Sequence, residues 1–271
     1  QRQMCIRDRM IKESLKASAL QHDIVWGDPA SNLKAVDKEL SALPGDVDII
    51  VLPEMFSTGF LCDKDAACRL AEPMDGTTME MVRKWSRQND AAICGSFIAR
   101  DNDRIFNRAF FITPSGEETF YDKHHLFTMS GEDSVYTRGS SAMPVVTFRG
   151  WNVAFAVCFD LRFPVWLRNR GKAYDLLIVM ANWPDSRAYA WEQLLIARAI
   201  ENQAYVIGCN RSGSDKFGVY SGTSHIIEPK GRNIETDVTP VAVEAQLSME
   251  SLVGFRNKFP VYLEGDNFEL L

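Results

Sequence analysis

Three residues of this chain have the types and settings for acyl-transfer chemistry: Glu54, Lys123 and Cys158. Each closes an apolar or β-rich run, "VDIIVLPE", "EETFYDK" and "WNVAFAVC". In sheets crossed by helices, reactive groups gather just past the carboxyl ends of strands. A thiol attacks as its thiolate, and a nearby cation lowers its pKa. A carboxylate within reach can take and return the proton. A fixed ammonium can stabilise the oxyanion formed when sulfur attacks a carbonyl or nitrile carbon. The backbone N–H of Phe159, directly after the thiol, is a candidate second oxyanion donor. Together these groups make a complete site without histidine.

Taken singly, each has an ordinary explanation. A strand-end glutamate is usually solvated, a lysine after a strand is usually a surface charge, and a cysteine in an apolar strand is usually a small core residue. The combination is what carries the chemical reading. In "CFDLRFPVW" the chain turns sharply after Cys158, which lifts the thiol out of its sheet as a nucleophile elbow does.

The elements that must position these groups follow from the apolar pattern. Leu15–Gln21, Val47–Glu54, "AAICGSFIAR", "WNVAFAVC", "DLLIVMAN" and "AYVIGCN" read as strands, the second broken by Pro53. "RIFNRAFFITPSG" and "EETFYDKHH" read as a hairpin turning at "TPSG". Helices are expected over Asn32–Leu43 with Ser31 as N-cap, and over Gly76–Asp90 opened by Thr77 or Thr78. Another is expected over "PVWLRNRG" with Gly171 as its stop. The strongest is "DSRAYAWEQLLIARAIENQ", capped by Asp185 or Ser186. From Ser221 onward the pattern predicts short strands with a turn at "EPKG". Apolar strands alternating with helices imply covered sheets and an α/β fold.

The bulk numbers are ordinary for a soluble globular protein. The 271 residues are 46% hydrophobic and 24% charged, with a net charge of −6. That acidity, with Lys and Arg scattered, argues against nucleic acid as partner. No apolar run reaches the ~18 residues of a membrane span. Six cysteines in a chain this long, without the apolar core of a secretion signal, predict a reduced cytoplasmic protein. Cys62 and Cys68 lack the close-pair spacing of a zinc site. His124 and His125 are adjacent and point apart, and His22 and His225 have no evident partners. No metal and no cofactor are expected. Met10 is expected to be the natural start, with residues 1–9 a polar extension before one domain over 10–271.

The segments "LPEMFSTGF", "YDKHHLF" and "CFDLRFPVW" resemble, in order and spacing, the Glu–Lys–Cys motifs of the nitrilase superfamily, the carbon–nitrogen hydrolases. The resemblance runs from about Leu15 to about Leu247. It implies Glu54 as general base, Lys123 as oxyanion-stabilising cation and Cys158 as nucleophile. It also implies a second glutamate between the last two motifs, and Glu132 in "MSGEDSVYTRG" takes that position. The implied fold is a four-layer α-β-β-α sandwich, and the implied assembly is a homodimer stacked through one helix layer.

"CFDLRFPVW", "MANWPDSRAYAW" and "RAIENQAYVIGCNRSG" are similar to the bacterial ω-amidases. That branch hydrolyses the side-chain amide of 2-oxoglutaramate and 2-oxosuccinamate to the 2-oxo dicarboxylate and ammonia, through a cysteine thioester. Such a substrate is small and anionic, so its distal carboxylate calls for an arginine fork. Arg187 is the first candidate and Arg211 the second. Asn182, Trp183 and Phe60 are expected in the pocket wall, by position after strand ends. The alternatives are a nitrilase, an N-carbamoyl amide hydrolase, a non-catalytic binding member, or a cysteine hydrolase that pairs Cys158 with His124 or His125.

Overall fold

The computed structural model describes residues 12–269; the expected extension at residues 1–9 lies outside them. The chain opens with β1 (Ser14–Leu20), α1 (Pro29–Ala42), β2 (Ile49–Val51), α2 (Lys64–Leu70) and α3 (Thr77–Asn89). A meander follows: β3 (Ala92–Asp101), β4 (Arg104–Ile112) and β5 (Glu118–Asp122). Then come β6 (Val145–Phe148), β7 (Trp151–Val157), β8 (Leu176–Ala181), α4 (Ala188–Asn202) and β9 (Tyr205–Asn210). The chain ends through β10 (Ser212–Asp215), β11 (Gly218–Ser221), β12 (His225–Ile227), β13 (Asp237–Val238), β14 (Ala242–Ser248) and α5 (Met249–Lys258).

Two sheets result. One has seven strands in the order β13-β14-β1-β2-β3-β4-β5, the other five in the order β12-β9-β8-β7-β6. Strand alternation shows how they stack. In β7, Val153, Phe155 and Val157 pack with Ile49, Val51 and Phe111 of the other sheet. Their neighbours Ala154 and Ala156 pack with Trp191, Leu195 and Ala199 of α4. In β2, Ile49 and Val51 face the other sheet, whereas Ile50 packs with Val36, Met79, Val82 and Trp85 of α1 and α3. Successive strand residues point to opposite faces, so each sheet has one face on its mate and one on helices. This is the expected α-β-β-α sandwich. With both faces buried the strands read as continuous apolar runs, and each fully buried Leu, Ile or Val contributes about 1.5–3 kcal/mol.

Several local expectations are corrected. The first helix starts at Pro29, and its N-cap is Asp28, whose carboxylate accepts from Ser31 N (3.1 Å); Ser31 lies inside the helix. Proline at the first helical position needs no N–H partner, which favours this earlier start. Gly76 caps α3, and Glu72 supplies the acceptor for Thr78 N (2.9 Å). The Val47–Glu54 strand is ladder only over Ile49–Val51, because Pro53 offers no donor and Met55 turns with φ 46°. No α-helix forms over "PVWLRNRG", only a 3-10 turn at Arg170–Lys172; the Trp166 indole is drawn to Tyr121 Oη (3.0 Å) and stacks on His124 (centroids 3.8 Å). Asp185 and Ser186 lie in a 3-10 turn before α4. Arg187 holds the cap position, and Asp185 instead accepts from Ser221 N (2.8 Å) and Oγ (2.5 Å). Two helices, α2 and α5, were not anticipated.

Candidate active site

Glu54, Lys123 and Cys158 meet at one end of the two sheets, each within a residue or three of a strand terminus. β2 delivers Glu54 through Leu52, whose N–H still bonds Cys94 O (2.7 Å). Lys123 follows β5 directly, and its own N–H extends the ladder to Asn107 O (3.0 Å). Its carbonyl accepts from Gly139 N (3.0 Å), where a Cβ would overlap the Asp122 carbonyl; only glycine permits this approach.

Cys158 sits on the turn that the sequence suggests. β7 ends at Val157, Cys158 adopts φ 45°, and a 3-10 turn runs over Cys158–Arg162. A non-glycine residue in this left-handed region is strained. Asp160 holds it there. The buried carboxylate accepts from Val157 N (3.1 Å), Tyr121 Oη (2.9 Å) and His125 N (2.9 Å), with His125 Nδ1 at 2.8 Å. Phe159 lies in the first turn, whose leading amides have no partner within it.

Glu54 and Glu132 are fully buried and Lys123 is 1% exposed. Lys123 Nζ donates to Glu54 Oε1 (2.9 Å) and to both oxygens of Glu132 (2.9 and 3.0 Å). Burial opposes the lysine's charge, but Glu132 and Glu54 outweigh it and hold the pKa well above the ordinary value. Glu132 itself is pushed up by burial, against the pull of Lys123. The Cys158 thiol is pushed well above its ordinary pKa, first by burial and then by Glu54, with Lys123 opposing. The cation does not make a resting thiolate, because burial and the Glu54 charge outweigh it.

Around this centre lies a cavity of about 310 Å³, lined by Phe60, Phe127, Phe159, Asn182, Trp183 and Tyr220 among others. Phe60, Asn182 and Trp183, named as wall candidates, and Phe159, named for its backbone N–H, all lie in this lining. Asn182 also binds the base: its N–H donates to Glu54 Oε2 (2.9 Å) and its Nδ2 to Glu54 O (2.6 Å). Arg187 is exposed at the rim, its guanidinium 5.4 Å from the Phe127 ring centre. Arg211 is not there. It is buried against Asp215 (2.9 Å) and donates to Ile24 O (3.0 Å), a structural ion pair. His124 and His125 do not line the cavity; they stack on Trp166 and Phe163.

Three residues were missed by the sequence reading. Arg162 joins Arg187 at the rim, 4.9 Å from the Trp183 ring centre. Among the described residues neither arginine meets a carboxylate within 4.0 Å. Asn107 donates to Glu54 Oε1 (2.8 Å) and more distantly to Glu132 Oε1 (3.4 Å). Ser96 donates to Asn107 Oδ1 (2.9 Å). The available signal was a polar residue inside a strand covered on both faces, since buried polar groups require partners. Among the described residues no group of three or more His, Cys, Asp or Glu could hold a metal.

The sequence profile of the carbon-nitrogen hydrolases matches residues 16–242. Omega-amidase YafV of Escherichia coli is 44% identical over 259 residues, spanning 94% of this chain and 98% of the relative. The 2-oxoglutaramate amidase of Bacillus subtilis is 32% identical over 250 residues, spanning 90% and 95%. The crystal structure of XC1258 from Xanthomonas campestris, a CN-hydrolase superfamily protein with an arsenic adduct in its active site, superposes with a TM-score of 0.90. It is 38% identical and covers 96% of this chain and 100% of its own.

Proposed function

The chain belongs to the carbon–nitrogen hydrolase family, and we propose that within it the chain is an ω-amidase. It hydrolyses the side-chain amide of 2-oxoglutaramate or 2-oxosuccinamate to the 2-oxo dicarboxylate and ammonia. The observation that carries the reading is the buried Glu54–Lys123–Glu132 cluster beside Cys158, at the floor of an aromatic cavity whose rim holds two arginines that meet no carboxylate within 4.0 Å among the described residues.

The chemistry follows from the donors and acceptors. Cys158 Sγ attacks the amide carbon as its proton passes to Glu54. The carbonyl oxygen becomes an oxyanion facing Lys123 Nζ and the Phe159 N–H. An ammonium has three N–H groups; with Glu54 taking one and the two Glu132 oxygens sharing a second, the third serves the oxyanion. Collapse breaks the C–N bond, and Glu54 returns the proton to the departing nitrogen, which leaves as ammonia. A water then loses a proton to Glu54 and attacks the thioester, releasing the carboxylic acid and restoring the thiol. Glu132 keeps Lys123 in place. Arg187, with Arg162 beside it, meets the distal carboxylate, and Phe60, Asn182 and Trp183 form the wall.

The reading extends to a homodimer in the cytoplasm, for which light scattering of the purified protein is the first check. No helix among the described residues is long and apolar enough to cross a membrane. The deciding experiment is ammonia release from 2-oxoglutaramate, glutamine, asparagine, a neutral amide and a nitrile. The expected order puts 2-oxoglutaramate first. Faster turnover of the nitrile or the neutral amide overturns the ω-amidase assignment.

A further inference from the structure

Glu54 is gripped from both sheets. Asn107 reaches it from β4 and Asn182 from the end of β8. A carboxylate oxygen offers about two acceptor directions. On Oε1 both are filled, by Lys123 Nζ (2.9 Å) and Asn107 Nδ2 (2.8 Å). On Oε2 only Asn182 N is close (2.9 Å), with Asn182 Nδ2 at 3.5 Å.

The Asn107 amide is fixed in its sense. Met55 N donates to Ser96 Oγ (2.9 Å), so that oxygen is an acceptor there. Its own hydrogen goes to Asn107 Oδ1 (2.9 Å), which turns Nδ2 toward the carboxylates. Ser96 is fully buried and Asn107 is 1% exposed, so no solvent competes. The chain of bonds starts at Met55, the residue after Glu54, and returns to the Glu54 side chain.

We propose that Ser96 and Asn107 are positioning residues that, with Lys123, occupy Oε1 of Glu54 and direct the proton taken from Cys158 to Oε2. Glu54 then works as a one-sided base, always protonated at the same atom and always returning the proton from it. This rests on the acyl-transfer reading of the site, and it adds two residues that touch neither substrate nor sulfur.

A carboxylate that loses a hydrogen-bond donor takes up a proton more readily. Asn107→Leu is therefore expected to move the acid limb of kcat/KM to higher pH. It should lower kcat about 10- to 100-fold, the scale of one hydrogen bond to a charged group, and leave KM little changed. Ser96→Ala frees the amide to flip and is expected to shift the limb in the same direction by less. The alkaline climb of Cys158 alkylation by iodoacetamide is expected to move to higher pH as well, because a Glu54 carboxylate short of one donor opposes the neighbouring thiolate more strongly. That readout needs no substrate, so it survives a failure of the ω-amidase assignment.

Other titratable groups share this space. Lys123, Cys62 and Tyr136 are all held upward, Cys62 to about 11, so none of them titrates in the acid limb. Glu132 can titrate there, and Asn107 reaches it at 3.4 Å. A displacement that vanishes in a Glu132→Gln background overturns the assignment to Glu54. Loss of activity in both variants with unmoved limbs, or with KM rising in step, makes Ser96 and Asn107 packing residues and overturns the proposal.

Discussion

Lys123 and Glu132 meet through both carboxylate oxygens, 2.9 and 3.0 Å from Nζ. With Glu54 also on the ammonium, the trio sums to one negative charge when both carboxylates are ionised. Burial first, and then the Glu54 charge, hold Cys158 as a thiol despite its cationic neighbour. The sign is clear: an acid held above its ordinary pKa yields thiolate only as pH rises past the raised value. Alkylation of wild-type Cys158 by iodoacetamide should therefore be slow at neutral pH and climb past the midpoint of about 8.5 seen for free cysteine. Fast alkylation at pH 7 would contradict the arrangement. Lys123→Met removes a cation that pulls the thiol down, so the climb should move still higher. Turnover should fall about 10²–10³-fold, as for loss of one oxyanion donor.

Cys158→Ala should abolish ammonia release, because among the described residues Cys158 is the thiol that lines the cavity. Intact protein caught with a slow amide should carry an acyl mass on the Cys158 peptide. An adduct on Cys62 or Cys68 would displace Cys158 from the assignment.

The elbow itself can be tested through stability. At φ 45° an L-residue carries about 1–2 kcal/mol of strain, while glycine costs about 0.5–1 kcal/mol in chain entropy. Relief of strain wins. Cys158→Gly should unfold at higher urea than Cys158→Ala, although both are inactive. Asp160→Asn replaces an acceptor with a donor among the Val157, Tyr121 and His125 donors, and should cost about 2–4 kcal/mol. Equal urea midpoints for Asp160→Asn and wild type would remove Asp160 from the support of the turn.

How much of this was legible in the sequence depended on the kind of signal. Glu54, Lys123 and Cys158 were visible because strand ends expose them to a reading by type and place, and the three motifs fixed the fold. Asn107 and Ser96 were not, since in "RIFNRAFF" and "CGSFIAR" a polar residue mid-strand reads the same whether it faces solvent or a buried carboxylate. Arg211 was misread for the opposite reason. Its place after β9 suggests the site, but the side chain turns back to Asp215, and only the geometry of the β10–β11 hairpin reveals that. The "PVWLRNRG" helix failed because tertiary contacts of Trp166 outweigh a weak local preference.

Substrate choice at the rim is the last test. Arg187 and Arg162 approach from different segments, one before α4 and one on the nucleophile's own turn, and each lies over a different aromatic ring. If Arg187 forks the distal carboxylate, Arg187→Met should raise KM for 2-oxoglutaramate far more than for a neutral amide of similar length. One charge-assisted contact of about 2–3 kcal/mol corresponds to roughly thirty- to a hundred-fold. Saturated turnover should change less, because the contact is equal in the ground and transition states. Arg162→Met should show the same selectivity if both forks share the anionic end. Should Arg187→Met weaken both amides equally, Arg187 is a wall residue. Selectivity lost only in Arg162→Met would then move the carboxylate site to the turn that carries Cys158. If neither change discriminates and the wild type has no preference for anionic amides, the carbon–nitrogen hydrolase assignment stands and the ω-amide specificity falls.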